Sequence, residues 1–139
     1  MFTALSSIDL LSVLLAFAGN FLVGMIWYSP VVFGNTWMDL VGLTPEKIKK
    51  AGGPARAMMV AVGAGFLSAL SMAIVFALID VRTVPQGIIV ALLLWLGFNA
   101  VSHAKHAAFE GRPARLVAIS AGGDLVGAVV MGVILGAWR

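Results

Sequence analysis

Apolar residues fill four stretches of the chain almost without a break: Ile8 to Tyr28, Arg56 to Ile79, Val84 to Phe109 and Pro113 to Trp138. A helix needs about 20 mostly apolar residues to cross a bilayer, and each stretch meets that length. Short polar breaks separate the last three, Asp80 to Thr83 and Glu110 to Arg112, while residues 29–55 form a longer linker after the first. The pattern predicts an all-α integral membrane protein, a bundle of four transmembrane helices in one domain over residues 1–139.

The ends of these helices are marked by local chemistry. Ser6 or Ser7 can cap helix one, with Asp9 in its first turn where the helix dipole favours an anion. Ala16-Phe17-Ala18-Gly19 resembles a signal-peptide cleavage site, but the residues before it hold no Lys or Arg and include Asp9, so the segment reads as a retained helix. Tyr28-Ser29-Pro30 stops it, because proline pushes the preceding residue out of the helical region and donates no hydrogen bond. In the linker, Thr44 and Pro45 start a short helix over Pro45 to Ala51, and Gly52-Gly53 end it. The apolar residues from Val31 to Val41 predict an interfacial segment. Trp27, Tyr28 and Trp37 then read first as an aromatic belt, and alternatively as part of a segment folded back so that Phe33 and Trp37 cover the mouth of the bundle.

Inside the helices, small and polar residues recur at four-residue spacing. Helix two carries Ala57, Ala61, Gly65, Ala69, Ala73 and Ala77, and helix four carries Ser120, Asp124, Ala128, Gly132 and Gly136 with Gly123 and Gly127 beside them. Such stripes let another backbone approach closely, within one chain or between copies. Gly65, Ala69, Ala73, Gly127, Gly132 and Gly136 are therefore the expected packing positions. Helix three carries Gly87, Ala91, Trp95, Asn99 and His103 at the same spacing, and Trp95 lies too deep for a belt.

Composition fixes the class. The chain is 61% apolar and 11% charged, against about 45–50% and 25% in soluble domains. It holds no cysteine, which excludes disulfides, thiolate metal sites and thiol nucleophiles. A net charge of +3 could suggest a polyanion, yet the basic residues sit at helix ends, so no nucleic-acid partner is expected. Lys47, Lys49, Lys50, Arg56, Lys105, Arg112 and Arg115 would share one side, leaving Arg82 and Arg139 on the other. The positive-inside rule then puts the linker in the cytoplasm and both termini outside it.

Several motifs together resemble a known family. Trp27-Tyr28-Ser29-Pro30, Phe33-Gly34, Trp37-Met38 and Gly42, with Trp95-Leu96-Gly97-Phe98 and Phe109-Glu110-Gly111-Arg112-Pro113, are similar to the bacterial membrane family known as domain of unknown function seventeen-sixty-one. The resemblance implies a small four-helix protein of the bacterial inner membrane and carries no activity. Around Ser120 to Asp124, where the family pattern implies an Asn, an aromatic and often a His, this chain has Ser120, Gly123 and Asp124.

Candidate chemistry is confined to a few polar groups at membrane depth. At about 1.5 Å rise per residue, Asn20, Asn99 and Asp124 fall roughly 18 to 21 Å from the outer ends of their helices, with Ser68 and Ser71 near that level and His103 one turn inward. This layer can be structural glue, or a site for a proton or ion. His103 and His106, three residues apart, could share an ion with Asp124 or Glu110 as third ligand, but two histidines without an acid at a defined spacing are a weak signal, so neither a metal nor any other cofactor is expected. No Gly-x-Ser-x-Gly elbow and no phosphate loop occurs, and no enzyme is expected. The leading expectation is a non-enzymatic structural or accessory subunit, a homo-oligomer or part of a membrane complex. The alternative is a small proton- or ion-coupled transporter or channel using Asn20, Asn99, His103 and Asp124.

Overall fold

The computed structural model describes residues 6–138. Four long helices, α1 (Leu10–Trp27), α4 (Gly53–Leu78), α5 (Val84–Glu110) and α6 (Ala114–Ala137), carry the four apolar stretches, and two short helices, α2 (Gly34–Val41) and α3 (Pro45–Lys50), lie in the linker. Each long helix is apolar and long enough to cross a membrane, which makes this a multi-pass, all-helical membrane protein. Arg139, counted above for orientation, lies outside the described residues.

The helices alternate in direction, so the bundle has a termini end and a linker end. Helix α6 is the hub, packed between α1 and α5, while α4 lies against α1 and barely touches α5. Three contacts fix the antiparallel register of α1 and α6. The Trp27 indole donates to the Ile119 carbonyl at 2.9 Å, the Asn20 carboxamide lies over Gly127, and the Trp138 indole donates to Asp9 at 2.6 Å.

Close packing, more than apolar transfer, holds such a bundle in lipid, because hydrocarbon is as apolar as leucine. Glycine is used accordingly on α6. A Cβ at Gly132 would come within 2.7 Å of the Gly87 carbonyl, and one at Gly136 within 2.8 Å of the Thr83 carbonyl, so α5 and α6 meet backbone to backbone. The stripe of α6 is thus consumed within the chain. That of α4 is half used: Ala69, Ala73 and Ala77 are buried, Gly65 is half-buried against Phe17, and Ala57 and Ala61 are exposed. The main buried cluster, with Val13, Ala16, Ala69, Met72, Phe76, Met131 and Leu135, lies in the termini half, and Leu116 and Ile119 are buried nearer the linker end.

Several local expectations are corrected. The cap of α1 is Asp9 rather than Ser6 or Ser7: it accepts from the Leu11 amide at 3.0 Å, and the helix starts at Leu10. Helix α4 begins at Gly53, three residues before Arg56, because Gly52 at φ 99° turns the chain sharply into it. The interfacial segment contains a true helix, α2. It folds back on the bundle end through Trp27 on Phe33 (ring centroids 4.8 Å apart) and Tyr28 on Trp37 (5.5 Å). Trp27 is therefore no belt residue, since its indole is turned inward onto α6.

Candidate functional site

The site is built where α5 departs from regular helix. Residues Trp95–Ala100 form a wide π-helical turn around Gly97, between regular segments Val84–Leu94 and Val101–Glu110. On an ideal α-helix a four-residue repeat drifts about 40° per step, which would leave His103 roughly 80° round from Trp95. One inserted residue takes back about 100°, returning His103 to within about 20° of Trp95 and so towards α6. The four-residue spacing in α5 makes a single face only because of this turn.

Two tryptophans then fix α6 from opposite sides. Trp27 of α1 donates to Ile119 and Trp95 of α5 donates to Ala121, each at 2.9 Å. Gly122 and Gly123 make room for the Trp27 ring, since a Cβ at either would come within 3.1 or 3.0 Å of it. The corner that presents Trp27 is equally tight: the Phe33 amide donates to the Trp27 carbonyl and the Gly34 amide to Ser29, and a side chain at Gly34 would strike the Tyr28 carbonyl. This is the physical content of the motif formed by Trp27, Tyr28, Ser29, Pro30, Phe33 and Gly34.

One turn beyond these anchors stands Asp124. Its Oδ2 lies 2.8 Å from Nε2 of His103, a pair that joins α5 to α6 beyond the wide turn. The Asp124 side chain is 44% exposed and that of His103 27%, so the pair borders open space. Tyr28, just after the end of α1, hydrogen-bonds Ser120, and its phenol is pushed up from the ordinary tyrosine range by burial first and by the negative charge of Asp124 second, against the opposing Ser120 bond. His106 turns away to Glu110 at 3.4 Å, so the two histidines serve different partners.

Two cavities meet at this point. One, of about 320 Å³, is bordered by Asn20, Ser68, Ser71, Trp95, Asn99 and Asp124. The other, of about 480 Å³, runs towards the linker end past Asn20, Phe21, Met25, Tyr28, Met58 and Asp124. The sequence-predicted layer of Asn20, Asn99 and Asp124, with Ser68 and Ser71, thus gathers on shared space, and His103 joins it through Asp124. Tyr28 and Ser120 belong to the site as well. Sequence alone marks Tyr28 as a terminator and Ser120 as a packing position, and nothing in their spacing identifies them as neighbours of Asp124.

Fold and site together define a four-helix, multi-pass membrane protein in which Asp124, bonded to His103, borders two cavities. The family described as "Protein of unknown function (DUF1761)" matches residues 11–136, and the chain belongs to it. No curated protein and no solved structure matches the chain.

Proposed function

We propose that this protein is a small, non-enzymatic carrier of the bacterial cytoplasmic membrane that moves a proton through the site at Asp124. The observation that carries this reading is Asp124, bonded to His103, at the meeting of two cavities. A polar layer serving only as glue would be expected dry and sealed, since interhelical polar contacts in membranes contribute on average about 0.6 kcal/mol and gain nothing from open space. Imidazole and carboxylate can each accept and release a proton, the chemistry used by relays in pumps and transporters.

The charge asymmetry of the loops supports a cytoplasmic linker and external termini. In that orientation the cavity that runs past Phe21, Met25, Tyr28 and Met58 lies towards the inner side. An accessory-subunit role is the second reading. It is favoured by the scant contact between α4 and α5, which leaves a gap that a second copy or another membrane protein would fill.

The test is proton movement in vesicles holding a pH dye. Purified protein should dissipate an imposed pH gradient faster than empty vesicles do. Asp124→Asn should return the rate to that of empty vesicles, and His103→Gln should slow it by about tenfold, the usual contribution of one placed acid or base being at least that. Wild-type vesicles that hold the gradient as empty ones do, or an Asp124→Asn variant as fast as wild type, would refute the carrier reading.

A further inference from the structure

A proton needs one carboxylate and a path, yet the cavity that runs towards the linker end offers much more. Its volume of about 480 Å³ falls in the usual range for small-molecule pockets of about 300–1,000 Å³. Phe21, Met25, Tyr28 and Met58 line it, with the carboxylate of Asp124 and the carboxamide of Asn20 at its inner end. Among the described residues, no Lys or Arg stands in the wall of either cavity. The space is therefore anionic at one end and apolar and aromatic along the rest.

That combination selects a class of ligand. An inorganic cation such as magnesium or calcium calls for six or more oxygens, and this wall supplies too few. An anion would meet Asp124 with no basic residue of the wall to offset it. A bulky organic cation satisfies every part of the wall: its charge lies near Asp124, its rings or alkyl groups contact Phe21 and Tyr28 by cation–π and stacking contacts, and the two methionines adapt to its shape. Access is available from the linker end, where Met58 is half exposed and α4 is separated from α5.

We infer that this cavity binds an organic cation of large apolar or aromatic surface, held by Asp124 and by the walls of Phe21, Met25, Tyr28 and Met58. The inference rests on the carrier reading above for its role, and it adds the substrate class. Asp124 holds a proton or the cation, so the two compete. Among the described residues, the titratable groups facing Asp124 are His103 from α5 and Tyr28 from the end of α1; α4 contributes uncharged residues to both cavities.

The experiment is equilibrium dialysis of the full chain in detergent against tetraphenylphosphonium, with neutral triphenylphosphine oxide as control. Saturable binding of the cation is expected. Asp124→Asn should weaken it by about tenfold or more and Phe21→Leu by about threefold, the scale of one charge contact and one ring contact. Size-exclusion chromatography confirms that each variant is folded. Equal uptake of the neutral control, or binding indifferent to Asp124→Asn, would overturn the inference. The two readings separate cleanly. Asp124-dependent proton flux without cation binding overturns the substrate class and leaves the carrier, whereas Asp124-dependent cation binding without flux upholds this site and removes the carrier.

Discussion

The two halves of this bundle are made from the same apolar helices and end up with opposite properties. At the termini end, Gly87, Ala91, Gly132 and Gly136 bring α5 and α6 into backbone contact, and Phe76, Val13 and Ala16 are fully buried. Towards the linker end Trp27 and Trp95 bond to α6, α5 widens into its π-helical turn, and residues 56–64 of α4 are exposed. Side-chain size at the seam decides the difference. Small residues bring α5 and α6 into backbone contact at one end, and at the other Trp27 and Trp95 lie against α6 beside the cavities that border Asp124.

The largest effect should come from breaking the tight half. Gly132→Val places a Cβ within 2.7 Å of the Gly87 carbonyl and 2.9 Å of the Ala91 side chain, where backbone cannot yield. Overpacking of this kind costs about 1–3 kcal/mol, and more where backbone is the obstacle. The variant should lose folded material on heating in detergent well below wild type. Gly63→Ala, with nothing among the described residues within 4 Å of the new methyl, should match wild type, and equal loss in both would discredit the packing account. A second comparison uses the natural absence of cysteine. Asn99→Cys, bordering the smaller cavity, should react with a membrane-impermeant maleimide in opened vesicles, and Ala16→Cys, fully buried, should not. A folded Asn99→Cys variant that resists the reagent would mean that water does not reach the site.

Much of this contrast is legible in the residues, for physical reasons that also mark its limit. Hydropathy sustained over 18 or more residues is a strong signal, so the four spans are evident to within three residues at every end. A fixed rise per residue puts Asn20, Asn99 and Asp124 at one level, and the three border one cavity. Partner choice is another matter. The unbroken stripe of α4 is the strongest packing signal in the sequence, yet α6 is the hub, because a stripe shows that a close approach is possible and not which helix makes it. The wide turn at Trp95–Ala100 leaves no mark beyond Gly97, and without it the reach of His103 to Asp124 cannot be drawn. Trp27 meets a similar limit: at a helix end an indole suits an interface, and only the glycine pair Gly122 and Gly123 on a distant helix shows that it turns inward.

The smallest effect is the sharpest on geometry, because Tyr28 is the sole tyrosine in the chain. Its ionisation can be followed alone by absorbance at 295 nm. Burial raises its pKa above the ordinary value of 10.0, the charge of Asp124 adds to the rise, and the bond with Ser120 opposes it. A raised pKa means that the folded state holds the phenolic proton more tightly than the unfolded chain does. The associated stability is therefore complete below pH 10 and is lost as pH climbs above it, through the folded-state value. The absorbance step should accordingly begin above pH 10. Asp124→Asn removes the second cause and leaves the first, so the step should move to lower pH while staying above the ordinary value. Ser120→Ala removes the opposing bond and should move the step the other way. A step that ignores Asp124→Asn would separate Tyr28 from the acid and place the open half of the bundle elsewhere than beside that corner of α1.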